Sequence, residues 1–267
     1  MSPELADQPE LTIIRSHGAQ AGEARGVVVV IDVIRAFTVA AYALAGGARE
    51  LWLVRTVEEA HTLREYALAA GVDGASLSQP PLLAGEVGGR LIPGFDMSNS
   101  PSQMAAADVR GRLIIQRTGA GTQGAVGASQ AKRLLVGALV NARATAAYAR
   151  QLAMQGDGVI TLLPTAWREQ IGDGFHSPME DEICADYLTA LLTSPAATDA
   201  VSDAAEALAT ALAAMVASGR FADYADDDPD EPTADIPAVL ATDRFGFAME
   251  GERRMAADVE YVRVRRV

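Results

Sequence analysis

The strongest constraint on the fold is the apolar run GVVVVI at Gly26–Ile31. Its β-branched residues predict a strand that is buried on both faces, because neither side of it is polar. A helix at Ala36–Ala45, a strand at Glu50–Val54 and a helix at Val57–Ala70 follow. This alternation predicts a three-layer α/β/α fold, in which parallel strands lie between helices on both faces.

A similar succession of elements returns farther along the chain. It comprises a strand at Leu113–Arg117, a helix from residues 119–127, a strand at 133–136 and a helix at 141–154. We therefore expect a single domain over residues 1–267 with two similar α/β halves, approximately residues 10–110 and 111–267, around a shared cleft.

The remaining elements are predicted from local patterns. Residues 158–163 are expected to form a strand, and residues 200–217 an alanine-rich helix. Ser177 and Glu180 have the spacing of a capping box, so Glu180 is interpreted mainly as a cap. Late strands are predicted at residues 242–248 and 258–264, the latter at the edge of the sheet with exposed arginines.

The glycine-rich stretch AGEVGGRLIPGFDMSNSP at residues 84–101 is the main candidate for function. Glu86 and Asp96 offer hard oxygen ligands, and Arg90 offers a planar cation for an oxyanion. Asn99 and Ser100 precede a predicted helix, for which Ser100 is the expected N-cap. The alternative is that Ser100 only caps this helix and the glycines only turn a corner.

Composition and charge exclude several classes of protein. The net charge of −13 argues against binding a nucleic-acid backbone, which requires basic surfaces. Residues 223–235 contain seven acidic residues and no basic one, and we expect them to form a solvated surface loop. The single cysteine, Cys184, excludes an internal disulfide and is expected to be buried in a helix. Without a leader pattern or an apolar span of about 20 residues, we expect no membrane association and a cytoplasmic location.

Several segments together resemble the 2-phosphosulfolactate phosphatase family. The stretch at residues 84–101 looks like the signature loop of that family, and residues 31–54 are similar to its opening Asp-Val-Leu-Arg-Ala segment. Residues 118–122 and 137–142 follow in the same order. The resemblance implies a magnesium-dependent acid phosphatase of the coenzyme M pathway. One departure is the turn at residues 117–121, RTGAG, where many members have a Thr-Thr-Asn-Gly type of turn.

The resemblance and the residue types suggest how a site would be built. Ligands of parallel sheets bind beyond the carboxyl ends of strands, which is where Asp32 lies. Asp32 and Glu86 are the expected catalytic pair and the main ligands of Mg²⁺, with Asp96 as a third ligand. The alternative for Asp32 is an N-cap of the following helix. Six residues are expected to bind substrate oxyanions: Arg35, Arg90, Asn99, Ser100, Thr118 and Gly119.

We therefore expect a phosphatase that acts on a small anionic phosphorylated acid. By analogy with the family, the reaction converts (R)-2-phospho-3-sulfolactate to 3-sulfolactate and phosphate. The alternative is a non-catalytic anion or nucleotide sensor that retains the cleft. A nucleotide-dependent dehydrogenase is disfavoured, because Gly119-Ala120-Gly121 lacks the third glycine of the dinucleotide fingerprint. His176 is a candidate for proton transfer, and a homo-oligomer is compatible with the sequence.

Overall fold

A computed structural model describes residues 9–165, 179–193 and 198–267. His176 and the predicted Ser177 cap lie outside these described residues. In the described ranges, no helix combines the length and the apolar character needed to cross a membrane.

The described elements alternate between strands and helices along most of the chain. The strands are β1 Thr12–Arg15, β2 Gly26–Ile31, β3 Glu50–Val54, β4 Leu82–Val87, β5 Arg90–Leu91, β6 Leu113–Arg117, β7 Ala131–Gly137, β8 Val159–Pro164, β9 Met249–Ala256 and β10 Val259–Arg266. The α-helices are α1 Ala36–Ala45, α2 Val57–Ala70, α3 Pro101–Ala106, α4 Gly121–Gly127, α5 Ala142–Met154, α6 Met179–Thr193, α7 Thr198–Ala217 and α8 Asp235–Leu240.

The early elements have the bounds that the sequence predicts. Every residue of β2 is buried, as expected for a strand covered on both faces. Helix α2 begins with a capping box, in which the Thr56 hydroxyl accepts the Glu59 N–H and the Glu59 carboxylate accepts the Thr56 N–H. It ends at Gly71, whose φ of 73° is a conformation that favours glycine. The predicted α/β fold is confirmed.

The described strands form one ten-stranded sheet of order β1-β8-β2-β7-β9-β10-β3-β6-β4-β5. The prediction that the last strand lies at an edge is wrong, because β10 pairs with both β9 and β3. The predicted strand at residues 242–248 is also wrong, since β9 begins only at Met249. On one face of β10, Val262 and Val264 are fully buried. Its other face carries arginines that pair with acidic side chains. In the sequence, this alternation of apolar and charged residues looks the same as that of a strand with one face in solvent.

The hairpin of β9 and β10 separates two sets of parallel strands that run in opposite directions. Each of the three pairings β7·β9, β9·β10 and β10·β3 is antiparallel. The parallel set β1, β8, β2, β7 therefore runs opposite to the parallel set β3, β6, β4 within the sheet. A flat sheet would place the carboxyl ends of the two sets at opposite edges. They nevertheless meet through the turn at residues 118–121, which follows β6 and reaches Asp32 at the end of β2.

Both parallel sets draw strands from both halves of the sequence. Strand β2 lies between β7 and β8, and β6 lies between β3 and β4. The buried apolar side chains form two clusters, and the larger takes residues from strands of both sets. One buried cluster includes Phe37 and Met104, and a second is built around Trp52 and Leu63. This interleaving brings residues from distant parts of the chain to the centre of the molecule.

Candidate active site

Asp32 directly follows β2 and is buried, with 5% of its surface exposed. Its Oδ1 accepts the Ala36 N–H at 2.9 Å, so it satisfies the first N–H of α1, although the N-cap residue is Arg35 and not Asp32 as the alternative predicts. Its Oδ2 lies 3.5 Å from the Thr165 hydroxyl, at the end of β8. These contacts fix the orientation of the carboxylate at the carboxyl ends of two neighbouring strands.

The protonation of Asp32 is strongly perturbed. Burial raises the pKa of its carboxyl to about 7, because the charged form loses the stabilisation of water. Negative charge on Glu86 and Glu180 raises the pKa further, whereas hydrogen bonds from the Ala36 and Gly121 N–H groups lower it. Asp32 thus lies among like charges, which the Ala36 and Gly121 N–H groups offset in part.

Glu86 lies in β4, just past its pairing with β6, and approaches the same turn from the other parallel set. Its Oε1 accepts the Gly119 N–H at 2.5 Å, and its Oε2 accepts the Gly89 N–H at 2.8 Å. Arg117 donates from Nη1 to the Glu86 carbonyl at 2.7 Å. The arginine of the unusual turn therefore supports the backbone beneath Glu86.

The turn at residues 118–121 joins the two carboxylates. Thr118 is buried, and its hydroxyl accepts the Thr122 N–H at 3.1 Å while the Thr118 N–H donates to the Thr122 hydroxyl at 3.0 Å. A Cβ added to Gly121 would lie 2.6 Å from Asp32 Oδ2. Because Gly119 and Gly121 are two residues apart, Asp32 and Glu86 face one turn, as the predicted cleft requires.

Arg35 is close to Asp32 in sequence but is buried among acidic residues. Its Nη1 donates to the Asp230 carbonyl and to Asp235 Oδ2, the latter at 3.1 Å. Its guanidinium lies 5.9 Å from the centroid of the Tyr224 ring. An ion pair thus already holds this predicted substrate-binding residue.

Asp235 connects Arg35 to the start of α3. It is fully buried, and its Oδ1 accepts the Ser100 hydroxyl at 2.7 Å and the Ser102 N–H at 3.0 Å. Ser100 also caps α3 by accepting the Gln103 N–H at 3.3 Å. Ser100 therefore caps α3, as the alternative interpretation predicts, and its hydroxyl also contacts the Asp235 carboxylate.

The prediction of a solvated acidic loop at residues 223–235 is wrong, because part of this acidic segment is buried. Asp230 is only 9% exposed, and its Oδ1 accepts the Leu91 N–H at 2.8 Å. The side chain of Arg90 is 71% exposed and lies 3.5 Å from Asp230 and 3.7 Å from Asp228. The number of acidic residues alone predicts that they repel one another. Arginines from other parts of the chain, however, neutralise their charge.

The other predicted site residues have local partners. Asp96 pairs with Arg64 at 3.2 Å and accepts the Leu83 N–H at 2.8 Å, at the outer side of β4 beside α2. Asn99 is buried and accepts a long hydrogen bond of 3.5 Å from the Gln116 side chain. Across the described ranges, no group of three or more His, Cys, Asp or Glu side chains could hold a metal ion.

Sequence reasoning missed several residues around Asp32. Glu180 is buried and accepts hydrogen bonds of 2.8 Å and 3.3 Å from Arg220, beyond the capping role assigned to it. Asp181 is also buried and accepts the Val33 N–H at 2.8 Å. Three consecutive acids in the first turn of α6 were the available signal, but nothing local identifies Arg220 as a partner.

The sequence matches the family model for 2-phosphosulpholactate phosphatase over residues 13–225. A protein of Bacillus subtilis (strain 168) named probable 2-phosphosulfolactate phosphatase is 37% identical over 164 residues, 61% of this chain and 63% of that protein. One of the same name from Carboxydothermus hydrogenoformans is 35% identical over 165 residues, 62% of this chain and 60% of that protein. Each match spans less than two thirds of the relative's length.

The family match includes Asp32, Glu86, the turn at residues 118–121 and the whole of α7. It ends within the acidic segment, just beyond Tyr224. The contacts that bring the two carboxylates together therefore lie inside the matched region, and the chain belongs to the 2-phosphosulfolactate phosphatase family.

Proposed function

We propose that the protein is a magnesium-dependent phosphatase that hydrolyses a small phosphorylated acid. On the strength of its family, the substrate is (R)-2-phospho-3-sulfolactate and the products are 3-sulfolactate and phosphate. The observation that carries the proposal is the approach of Asp32 and Glu86 to one turn from two different parallel sets.

The donor set fits a hard divalent cation. Mg²⁺ prefers oxygen ligands and commonly uses one or two carboxylates together with substrate phosphate and water. The raised pKa of Asp32 has burial and neighbouring negative charge as its causes, and a cation would relieve both. In the proposal Asp32 and Glu86 hold Mg²⁺, which when bound would neutralise phosphoryl oxygens and lower the pKa of a coordinated water.

The chain itself supplies orientation and anion recognition. Two backbone N–H groups fix each carboxylate, so neither has to reorganise when substrate enters. Gly119 is exposed beside Glu86, to which its N–H donates. Arg35 and Arg90 are the candidate cations for the acid groups of the substrate, and the acidic segment holds both in place.

Hydrolysis is tested by measuring phosphate release from a panel of phosphorylated hydroxy acids, with and without Mg²⁺. We expect Mg²⁺-dependent turnover of 2-phosphosulfolactate that Asp32→Asn abolishes, while circular dichroism shows the variant to be folded. Tight binding without turnover, unaffected by Asp32→Asn, would instead support the sensor alternative. The cytoplasmic location and a homo-oligomeric state stay predictions.

A further inference from the structure

The side chain of Tyr224 carries a buried polar atom without a partner. The residue is 9% exposed, and its hydroxyl makes no hydrogen bond with the described residues. An unsatisfied buried donor is destabilising, and native proteins seldom leave one without water, an ion or a ligand. The hydroxyl therefore marks a position that a further group is expected to occupy.

Two arginines act on this hydroxyl. Arg35 lies 5.9 Å from the ring centroid, and positive charge on both Arg35 and Arg220 lowers the pKa of Tyr224. Burial has the larger effect and raises that pKa to about 12, so at neutral pH the hydroxyl is a donor. A buried hydroxyl donor that has the Arg35 guanidinium over its ring and is under the influence of the Arg220 charge suits an oxyanion.

The Nη2 nitrogen of Arg35 makes no hydrogen bond with the described residues. Its Nη1 serves Asp230 and Asp235, whereas Nη2 has only a 3.9 Å contact with Glu231 among the described residues. The Asp235 side chain is 0% exposed, but that of Glu231 is 33% exposed. Asp235 is therefore the permanent partner of Arg35, and Glu231 is a replaceable one.

The charges around Tyr224 allow another anion to replace the Glu231 carboxylate at little cost in free energy. Asp235 neutralises Arg35, and Glu180 neutralises Arg220 through two hydrogen bonds. The negative charge of Glu231 raises the pKa values of both Tyr224 and Arg220. If an incoming anion takes the place of the Glu231 carboxylate, the net charge of the pocket does not change.

We propose that Arg35 Nη2, Arg220 and the Tyr224 hydroxyl form a subsite for the acid group of the substrate that does not react, a carboxylate or a sulfonate. The Glu231 carboxylate occupies this subsite until substrate displaces it. The identity of the ligand rests on the proposed function, but the donors that define the subsite do not.

Calorimetric binding of 3-sulfolactate tests the subsite without any turnover. We expect Tyr224→Phe to weaken binding about tenfold, the loss typical of a hydrogen bond to a charged group. Its melting temperature should not fall, because the hydroxyl makes no hydrogen bond within the described part of the free protein. Glu231→Gln should strengthen binding about threefold by removing the competing charge. Asp227→Asn, an equal charge change at an exposed position of the acidic segment, is the control and should bind as the wild type does.

Two simpler ligands identify the acid group. Lactate offers only a carboxylate and isethionate only a sulfonate, so the one whose binding depends on Tyr224 names the group. Binding that depends on Tyr224, in a protein that hydrolyses no phosphate ester, would support the subsite and contradict the proposed function. Turnover accompanied by equal binding of all three ligands to wild type and Tyr224→Phe would overturn the subsite alone, as would the absence of any binding.

Discussion

The carboxylate of Asp32 lies so close to the backbone of Gly121 that a single methyl group would not fit between them. A Cβ on Gly121 would lie 2.6 Å from Asp32 Oδ2 and 2.6 Å from the Ala36 Cβ. This contact joins the end of β2 to the turn after β6, which belongs to the opposite parallel set. The approach of Asp32 to Glu86 depends on it.

Gly121→Ala is therefore expected to displace Asp32. Overpacking of this kind costs about 1–3 kcal/mol of stability. A misplacement of about 1 Å can lower turnover about 100-fold. Phosphate release and urea denaturation measure the two effects. Gly246→Ala is the matched control, because a Cβ there would meet nothing within 4 Å. Wild-type activity in Gly121→Ala would show that the contact does not position Asp32.

Asp32 should make the protein less stable as the pH rises. Its pKa is about 7 in the folded protein and 3.8 as the ordinary value, so the folded state binds the proton more tightly. Stability contributed by the protonated form is complete below about pH 4 and is lost as the pH rises through 7. In EDTA, we expect Asp32→Asn to raise the free energy of unfolding by a few kcal/mol at pH 8 and by little at pH 4.

Urea denaturation at pH 4, 6 and 8 measures this difference. Asp227→Asn serves as the control because that side chain is exposed, and it should unfold as the wild type does at each pH. Equal pH dependence in wild type and Asp32→Asn would mean that the burial of Asp32 does not perturb its protonation.

Asp235 is expected to be essential for stability. It is fully buried, and its removal would leave the Arg35 guanidinium, which is 5% exposed, without its strongest partner. Breaking one side of a buried ion pair costs about 3–5 kcal/mol. Asp235→Asn, compared with Asp227→Asn by urea denaturation, measures the loss. A difference below about 1 kcal/mol, the worth of an exposed pair, would show that the pair is not held as described.

Magnesium dependence separates the predicted ligands from one another. EDTA should abolish phosphate release, and added Mg²⁺ should restore it. We expect Glu86→Gln to raise the Mg²⁺ concentration for half-maximal activity at least about tenfold, because a ligand charge is lost. Asp96→Asn should leave that concentration near its wild-type value, since Asp96 pairs with Arg64. The reverse ranking would place the metal at Asp96.

Local patterns in the sequence were sufficient for most individual elements. The apolar run of β2 and the serine cap of α3 each depend on residues a few positions apart, and each was predicted. The bounds of α2 were also predicted, although its capping box was not. Asp32 was singled out because it follows a predicted strand of an α/β fold, and Glu86 because it offers a carboxylate within the glycine-rich stretch at residues 84–101. Burial of Cys184 in a helix was also confirmed.

Long-range pairing could not be read in the same way. The alternating residues of β10 predict a strand with one polar face, but an edge strand and a central strand whose arginines meet acids share that pattern. The charge of the acidic segment likewise predicts repulsion until Arg35 and Arg90 are placed beside it.

By itself, the sequence determined the α/β class, the bounds of its early strands and helices and the residue types available for chemistry, because these follow from local sterics and periodic burial. Only the tertiary structure decided that β10 is central, that the acidic segment covers Arg35, and that Tyr224 keeps an unused hydroxyl. Those outcomes depend on pairings between residues far apart in the chain. Their free energy arises when burial strengthens an interaction between charges or leaves a hydrogen-bond donor without a partner. No single stretch of sequence encodes it.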